Sequence, residues 1–126
     1  MSRAEEIPHR ERVEEFRRRL REMRARLFRT VTTSDDELET LEAHQPGAPV
    51  EDAAREVVVS VLSRLGDREK HELDEIYGAQ ARLETGSFGV CEECARPIPL
   101  ARLRAVPTAR LCAPCQARDE ANRTVR

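Results

Sequence analysis

The chain has 126 residues, of which 37% are charged and 3% aromatic, with 22 basic against 24 acidic side chains and a formal net charge of −2. That length suits one small domain, and four aromatics (Phe16, Phe28, Tyr77, Phe88) leave little material for a broad core, so an elongated molecule is predicted rather than a globule. No apolar run approaches the roughly 18 residues of a bilayer span, and residues 1–6 lack the apolar stretch of a signal peptide, which predicts a cytoplasmic protein with no membrane partner.

The charge is unevenly spread. Residues 1–30 hold ten Arg against six Glu, whereas residues 31–55 hold seven acids against one Arg. Residues 56–85 stay acidic and residues 86–126 return to a basic excess. Basic ends thinned by interleaved Glu are not the footprint of a duplex-binding domain, so no sequence-specific DNA binding is predicted. Most of these charges read as solvated helix faces.

From Val13 the apolar residues Val13, Phe16, Leu20, Met23 and Leu27 fall at steps of three and four. This is a heptad seam, which predicts a helix over about 8–31 packed lengthwise on one other helix. Pro8 suits its first turn, because the N–H it lacks would be unpaired there. Residues 32–50 form an acidic turn in which Ser34 and Glu37 match a capping box, so a short helix running to Ala43 is expected before Gln45-Pro46-Gly47 breaks it.

A second long helix is predicted over about 49–84. It opens at Pro49 with Glu51 and Asp52 in the favourable N-terminal position and closes at Gly86. Its seam is Val58, Leu62, Leu65, Leu73, Ile76, Gln80 and Leu83, with a step of eight after Leu65 read as a phase shift within one helix. Gly66 and Gly78 each oppose helix by about 1 kcal/mol. The run 57–62 is β-like by composition, but helical periodicity continues past it. The two long helices then pair as an antiparallel coiled-coil hairpin over 1–84, with the acidic turn at its tip.

Residues 85–126 differ in kind. Cys91 and Cys94 form one C-x-x-C pair, Cys112 and Cys115 another, with 17 residues between the pairs. Four thiolates at that spacing predict one structural Zn²⁺ in a closed tetrahedron, with no open position for a catalytic water. A reducing compartment favours metal over disulfides for the same residues. A redox switch that releases zinc on oxidation is the functional alternative. Leu100 to Ala105 can form a turn or two of helix, and Pro114 can start a final helix with a frayed Arg-rich end. His9, His44 and His71 have no ligand spacing and read as surface residues. No acid/base pair, nucleophile triad or phosphate loop can be assembled, so no enzyme is predicted. The fold class is all-α and zinc-stapled: a hairpin, a C4 zinc finger and a short C-terminal helix.

The stretch Gly86-Ser87-Phe88-Gly89-Val90-Cys91-Glu92-Glu93-Cys94, then Ile98, then residues 102–109 (Arg-Leu-Arg-Ala-Val-Pro-Thr-Ala), then Leu111-Cys112-Ala113-Pro114-Cys115, resembles the zinc finger of the DksA/TraR family. The likeness extends back through the return helix to residues 49–54, and more loosely to residues 16–20 and 29–32. It implies a bacterial transcription regulator that binds RNA polymerase directly, its coiled coil entering the secondary channel and its acidic tip lying near the catalytic Mg²⁺. Promoter complexes are destabilised as a result, often together with ppGpp. In the family the tip reads Asp-x-x-Asp-x-Ala; here the aligned positions are Ala48, Glu51 and Ala53. Asp35, Asp36 or Glu37 would then replace the missing carboxylate from the other side of the turn. The implied tip effectors are Asp35, Asp36, Glu51 and Ala53. Arg68 is kept as an alarmone contact, while Glu75 and Gln116 stand where lysines are expected, which implies weak ppGpp dependence. Two other readings are a degenerate-tip paralogue that occupies the channel passively or binds another partner, and a nucleic-acid-binding zinc finger protein using the Arg-rich first helix and tail, marked by steep salt dependence.

Overall fold

A computed structural model of the chain describes residues 9–45 and 48–124. Six helices make up the fold among these residues: α1 (His9–Arg29), α2 (Asp35–Ala43), α3 (Asp52–Leu62), α4 (Asp67–Thr85), α5 (Leu100–Ala105) and α6 (Ala113–Thr124). There is no strand among them, only an isolated antiparallel bridge between Val90 and Pro97. None of the helices is long and apolar enough to cross a membrane. The chain forms two compact units, one comprising residues up to Arg17 and from Ala79 onward, the other Arg18–Gly78.

In the Arg18–Gly78 unit the heptad pattern of α1 holds: Leu20 and Leu27 are buried and Met23 is half-buried. The buried stripe is wider than the seam, because Arg24, Ala25 and Phe28 also lie inside. Pro8, expected in the first turn, lies outside the described residues, as do Pro46 and Gly47 of the expected helix break and the last two residues of the tail. The short helix in the acidic segment is α2. Its Ser34 N-cap accepts a hydrogen bond from the Glu37 N–H at 3.2 Å, and the Thr33 N–H donates back to Glu37 Oε1 at 2.8 Å. This is a reciprocal arrangement one residue wider than the simple capping box. Leu41 is the buried residue of α2, which contacts α3.

The expected single return helix is two helices. α3 stops at Leu62, where the Ser63 N–H reaches Val59 O (3.0 Å) and the Ser63 hydroxyl donates to Ser60 O (2.7 Å). The next two amides bond three residues back, Arg64 to Val61 and Leu65 to Leu62, which tightens the chain out of α geometry. Gly66 O then accepts from the Lys70 N–H at 2.9 Å and α4 begins. The step of eight between Leu65 and Leu73 therefore marks a break rather than a phase shift. Leu65 is buried within the break, which keeps both flanking helices tied to the core.

In the other unit Phe16, Cys91, Ile98, Leu103, Ala109 and Cys115 form one buried cluster, with Leu83, Phe88, Leu100 and Leu111 packed against it. The Phe16 and Phe88 rings lie 5.0 Å apart at 42°, a tilted contact that joins α1 to the segment before the first cysteine pair. Two of the cysteines thus belong to the hydrophobic core itself.

Candidate metal centre

The segment carrying the first thiol pair is launched by the end of α4. Gly86 has φ +81°, and the Ser87 N–H turns back to Arg82 O at 2.9 Å, a Schellman closure that needs the left-handed residue glycine supplies. A narrow loop follows. The Ile98 N–H donates to Gly89 O (2.7 Å) and the Cys91 N–H to Arg96 O (2.9 Å), while the Ala95 N–H returns to Cys91 O (2.9 Å). Ala95 pays for this turn with φ +62°. The second pair sits at the start of α6: Cys112 immediately precedes the helix and Cys115 lies in its first turn. A bond from the Glu92 N–H to Arg110 O at 3.0 Å joins the two pairs, and Arg102 Nε holds Leu111 O at 3.0 Å from the α5 side.

These turns bring the four sulfurs within 4.8 Å of one another. Cys94 and Cys112 Sγ are 3.8 Å apart. A tetrahedron with metal–sulfur bonds of about 2.3 Å has edges of about 3.8 Å, so the donor set fits one Zn²⁺. The same separation is far beyond the roughly 2.05 Å of a disulfide, and all four thiols are free. Cys91 and Cys115 are buried and Cys94 and Cys112 half-buried.

Electrostatics set Cys91 and Cys115 apart. The N–H of Cys94, joined by those of Cys112 and Glu93, holds the Cys91 thiol down to about 6 despite its burial. Cys115 is pushed up to about 12, first by the adjacent Cys112 thiol and then by burial, with Arg118 acting the other way through a contact from Nη2 to Sγ at 3.1 Å. The Cys91 thiol is ready to ionise while Cys115 resists, which a divalent ion would reverse by supplying the missing positive charge.

The other residues singled out from sequence lie elsewhere. Asp35 and Asp36 occupy the exposed first turn of α2, Glu51 caps α3 without a side-chain cap bond, and Ala53 is exposed one residue into α3. The structure does not bring these into one cluster. Glu37 is bonded to Arg64, just past the C-terminal end of α3, at 2.9 and 3.0 Å. Asp35 and Asp36 therefore stand at one end of α3 and Glu51 at the other, a helix of 11 residues or about 16 Å apart. Arg68 is exposed in the first turn of α4. Glu75 lies 3.7 Å from His71, and the Gln116 amide donates to Glu120 at 3.0 Å. Neither His44 nor His71 joins the thiol group, and the His9 side chain lies outside the description. Sequence reading missed the Arg64–Glu37 clamp, the Arg118 contact to sulfur and the left-handed Ala95. Of these only Ala95 had a local signal, its place directly after a C-x-x-C pair.

The pattern of the prokaryotic dksA/traR C4-type zinc finger matches residues 86–121. The solved structure of transcription factor DksA2 from Pseudomonas aeruginosa is similar at a TM-score of 0.58 and 34% identity, covering 89% of this chain and 85% of that one. RNA polymerase-binding transcription factor DksA of Salmonella typhimurium is 38% identical over 95 residues, 75% of this chain and 60% of the relative. The Caulobacter vibrioides protein of the same name is 46% identical over 57 residues. The chain thus spans about 60% of the length of the first of these curated relatives.

Proposed function

Because this chain belongs to the DksA/TraR family, we propose that it is a non-enzymatic transcription factor that binds RNA polymerase directly, through the secondary channel, and modulates promoter complexes from within it. The observation that carries the reading is the closed four-thiol centre in a chain similar, over 89% of its length, to a solved transcription factor. Curated relatives bear the name RNA polymerase-binding. Zn²⁺ serves as a structural ion: it neutralises the thiolates and ties the 91–94 loop to the start of α6, and no step of the regulatory action passes through it.

In this reading Glu51 is the effector carboxylate and Ala53 the small neighbour that permits close approach. A negative group delivered toward a Mg²⁺ site and its basic surroundings gains from electrostatic attraction without needing a large interface. Asp35 and Asp36 act as a separate acidic contact, since they stand at the far end of α3. Arg68 remains the proposed alarmone contact.

One observation favours a second reading. Ala48 occupies the position of the first tip carboxylate, and Glu37 is engaged by Arg64 just past the far end of α3 from Glu51. A factor with half of its tip charge would occupy the channel and exclude others without acting on the promoter complex.

The experiment is site-directed crosslinking from Glu51 and, separately, Asp36 into purified bacterial RNA polymerase, paired with transcription from a sensitive promoter. Crosslinks from Glu51 to active-site elements, with Glu51→Gln reducing the transcriptional effect, support the leading reading. Binding that competes with a channel factor but changes no transcript level supports the passive one. Absence of any polymerase crosslink rejects both.

A further inference from the structure

The first helix carries a charged groove that neither the metal centre nor the acidic residues account for. Arg18, Arg21, Arg24, Arg26 and Arg29 of α1 line a concavity of about 470 Å³ together with Glu22, Ala25 and, from α2, Glu42. Five guanidiniums therefore face two carboxylates. Arg24 is only 8% exposed and donates from Nη2 to Glu42 O at 3.3 Å, so one of these charges is fixed in the wall. Ala25 is the sole apolar lining residue.

The excess charge is not neutralised internally. Arg18, Arg21, Arg26 and Arg29 make no ion pair among the described residues, although Glu22 and Glu42 line the same groove. Elsewhere this chain pairs its arginines readily, as in Arg64 with Glu37, Arg104 with Glu15 and Arg123 with Asp119. The helix dipole explains Arg26 and Arg29, which lie in the last turn of α1. It does not explain Arg18 and Arg21, which lie beyond the reach of that effect.

The chemistry of the walls selects the ligand. Guanidinium forks bind paired oxygens, carboxylate or phosphate, in a bidentate manner. The groove offers no aromatic face on which a base could stack, and the two interspersed carboxylates repel a continuous phosphate chain more than they repel carboxylates that can be spaced around them. From Arg18 to Arg29 the stripe covers about 16 Å, three turns of helix. Carboxylates at intervals of three and four on a partner helix have the same reach.

We propose that this groove docks an acidic helical segment of a partner protein. The inference rests on the Arg18–Gly78 unit alone and does not depend on the polymerase reading.

The test uses the full, zinc-loaded chain and a fluorescein-labelled alanine-based helical peptide with glutamates every third or fourth position, read by anisotropy at about 50 and about 200 mM salt. The acidic peptide is expected to bind at least about tenfold more tightly than the same peptide with glutamines, and to weaken with salt. The double variant Arg18→Gln/Arg21→Gln should weaken it by about fivefold, while Glu22→Gln strengthens it by about twofold. Arg18, Arg21 and Glu22 are exposed, so these changes leave the core intact, and zinc content with far-ultraviolet circular dichroism checks that directly. Arg123→Gln, outside the groove, should change nothing. The proposal is overturned if the acidic peptide fails to bind, or if the double variant binds it as wild type does. It is equally overturned if a single-stranded oligonucleotide binds more tightly than the peptide and loses that binding in the double variant, which would make the groove a phosphate site.

Discussion

Arg104 reaches across 89 residues of sequence to close a two-pronged contact on Glu15, with Nε to Oε2 and Nη2 to Oε1 both at 3.0 Å. The fork ties α5, which lies between the two cysteine pairs, to the first half of α1. Each partner is partly shielded, and the carboxylate raises the already high pKa of the guanidinium. Glu15→Gln and Arg104→Gln should each lower the thermal midpoint of the zinc-loaded protein by a few degrees. The double variant should lose less than the sum, because the two residues act on one contact. Additive losses in such a cycle would show that the fork contributes nothing to stability.

A second fork gives a pH signature. Glu37 accepts from Arg64 and from both donors of Thr33, and these hold its carboxyl down to about 2 from an ordinary 4.5. A depressed acid stabilises the fold fully above its unfolded value and loses that contribution as pH falls toward the folded one. The contribution should therefore be complete above about pH 4.5 and vanish between there and about pH 2. Carbon-13 NMR of the Glu37 side-chain carboxyl would read the midpoint directly. Arg64→Ala should move it back toward 4.5, since Arg64 is the largest cause of the shift. An unchanged midpoint in that variant would assign the effect to Thr33 instead.

Features set by adjacent residues were legible from the chain alone. The thiol spacing, the glycine after Thr85 and the Ser34-Glu37 pattern each encode a local geometry, and the metal centre, the α4 cap and α2 follow from them. The break at residues 63–66 was present as a step of eight, but periodicity does not separate a shifted seam from an interrupted helix when Leu65 stays buried in either case. The two forks were not legible, because charged residues abound on every face and nothing local marks which Arg meets which Glu. The same holds for the separation of Asp36 from Glu51. Both lie in the acidic stretch by sequence, and only the packing of α2 on α3 sends them to opposite ends.

Three left-handed positions around the metal centre should respond differently to substitution. Gly86 (φ +81°) has open space where a Cβ would go, so Gly86→Ala should cost only the conformational strain, roughly 1 kcal/mol. Gly89 (φ +83°) would place its Cβ 3.3 Å from Leu103 Cδ1, so Gly89→Ala should cost more, about 2 kcal/mol. Ala95 already bears the strain at φ +62°. Ala95→Gly should stabilise by up to about 1 kcal/mol, the relief being reduced by the greater freedom of glycine in the unfolded chain. Urea unfolding of the zinc-loaded proteins ranks the three. An Ala95→Gly variant less stable than wild type would mean that the turn does not hold a left-handed residue.

Leu41 is fully buried and is the buried residue of α2, a helix of only nine residues that could not persist alone in water. Leu41→Ala should cost about 2 to 5 kcal/mol, in the range of other buried leucine truncations. Because α2 carries Glu37, the variant should also weaken the Arg64 clamp, so the depressed carboxyl midpoint should rise along with the loss of stability. Retention of the low midpoint would show that α2 stays docked through its polar contacts.

Removal of the metal should unfold one unit and spare the other. The thiols Cys91 and Cys115 are buried in a cluster with Phe16, Ile98 and Leu103, and Leu83, Phe88, Leu100 and Leu111 pack on it only partly buried, so the thiols themselves form part of what excludes water. Zinc binding to small thiol sites contributes about 10 to 16 kcal/mol of folding free energy in peptides, more than such a cluster can replace. The Arg18–Gly78 unit holds no thiol, and its buried Phe28, Leu41, Val61 and Ile76 do not need one. With a strong chelator, hydrogen exchange should therefore accelerate at the amides of Cys91, Ile98 and Leu103 while Phe28, Val61 and Ile76 keep their protection. Cobalt should restore both the protection and a tetrahedral thiolate spectrum at one equivalent per chain, and Cys94→Ser should lose that spectrum. Equal acceleration in both units would mean that the metal stabilises the chain as a single cooperative body.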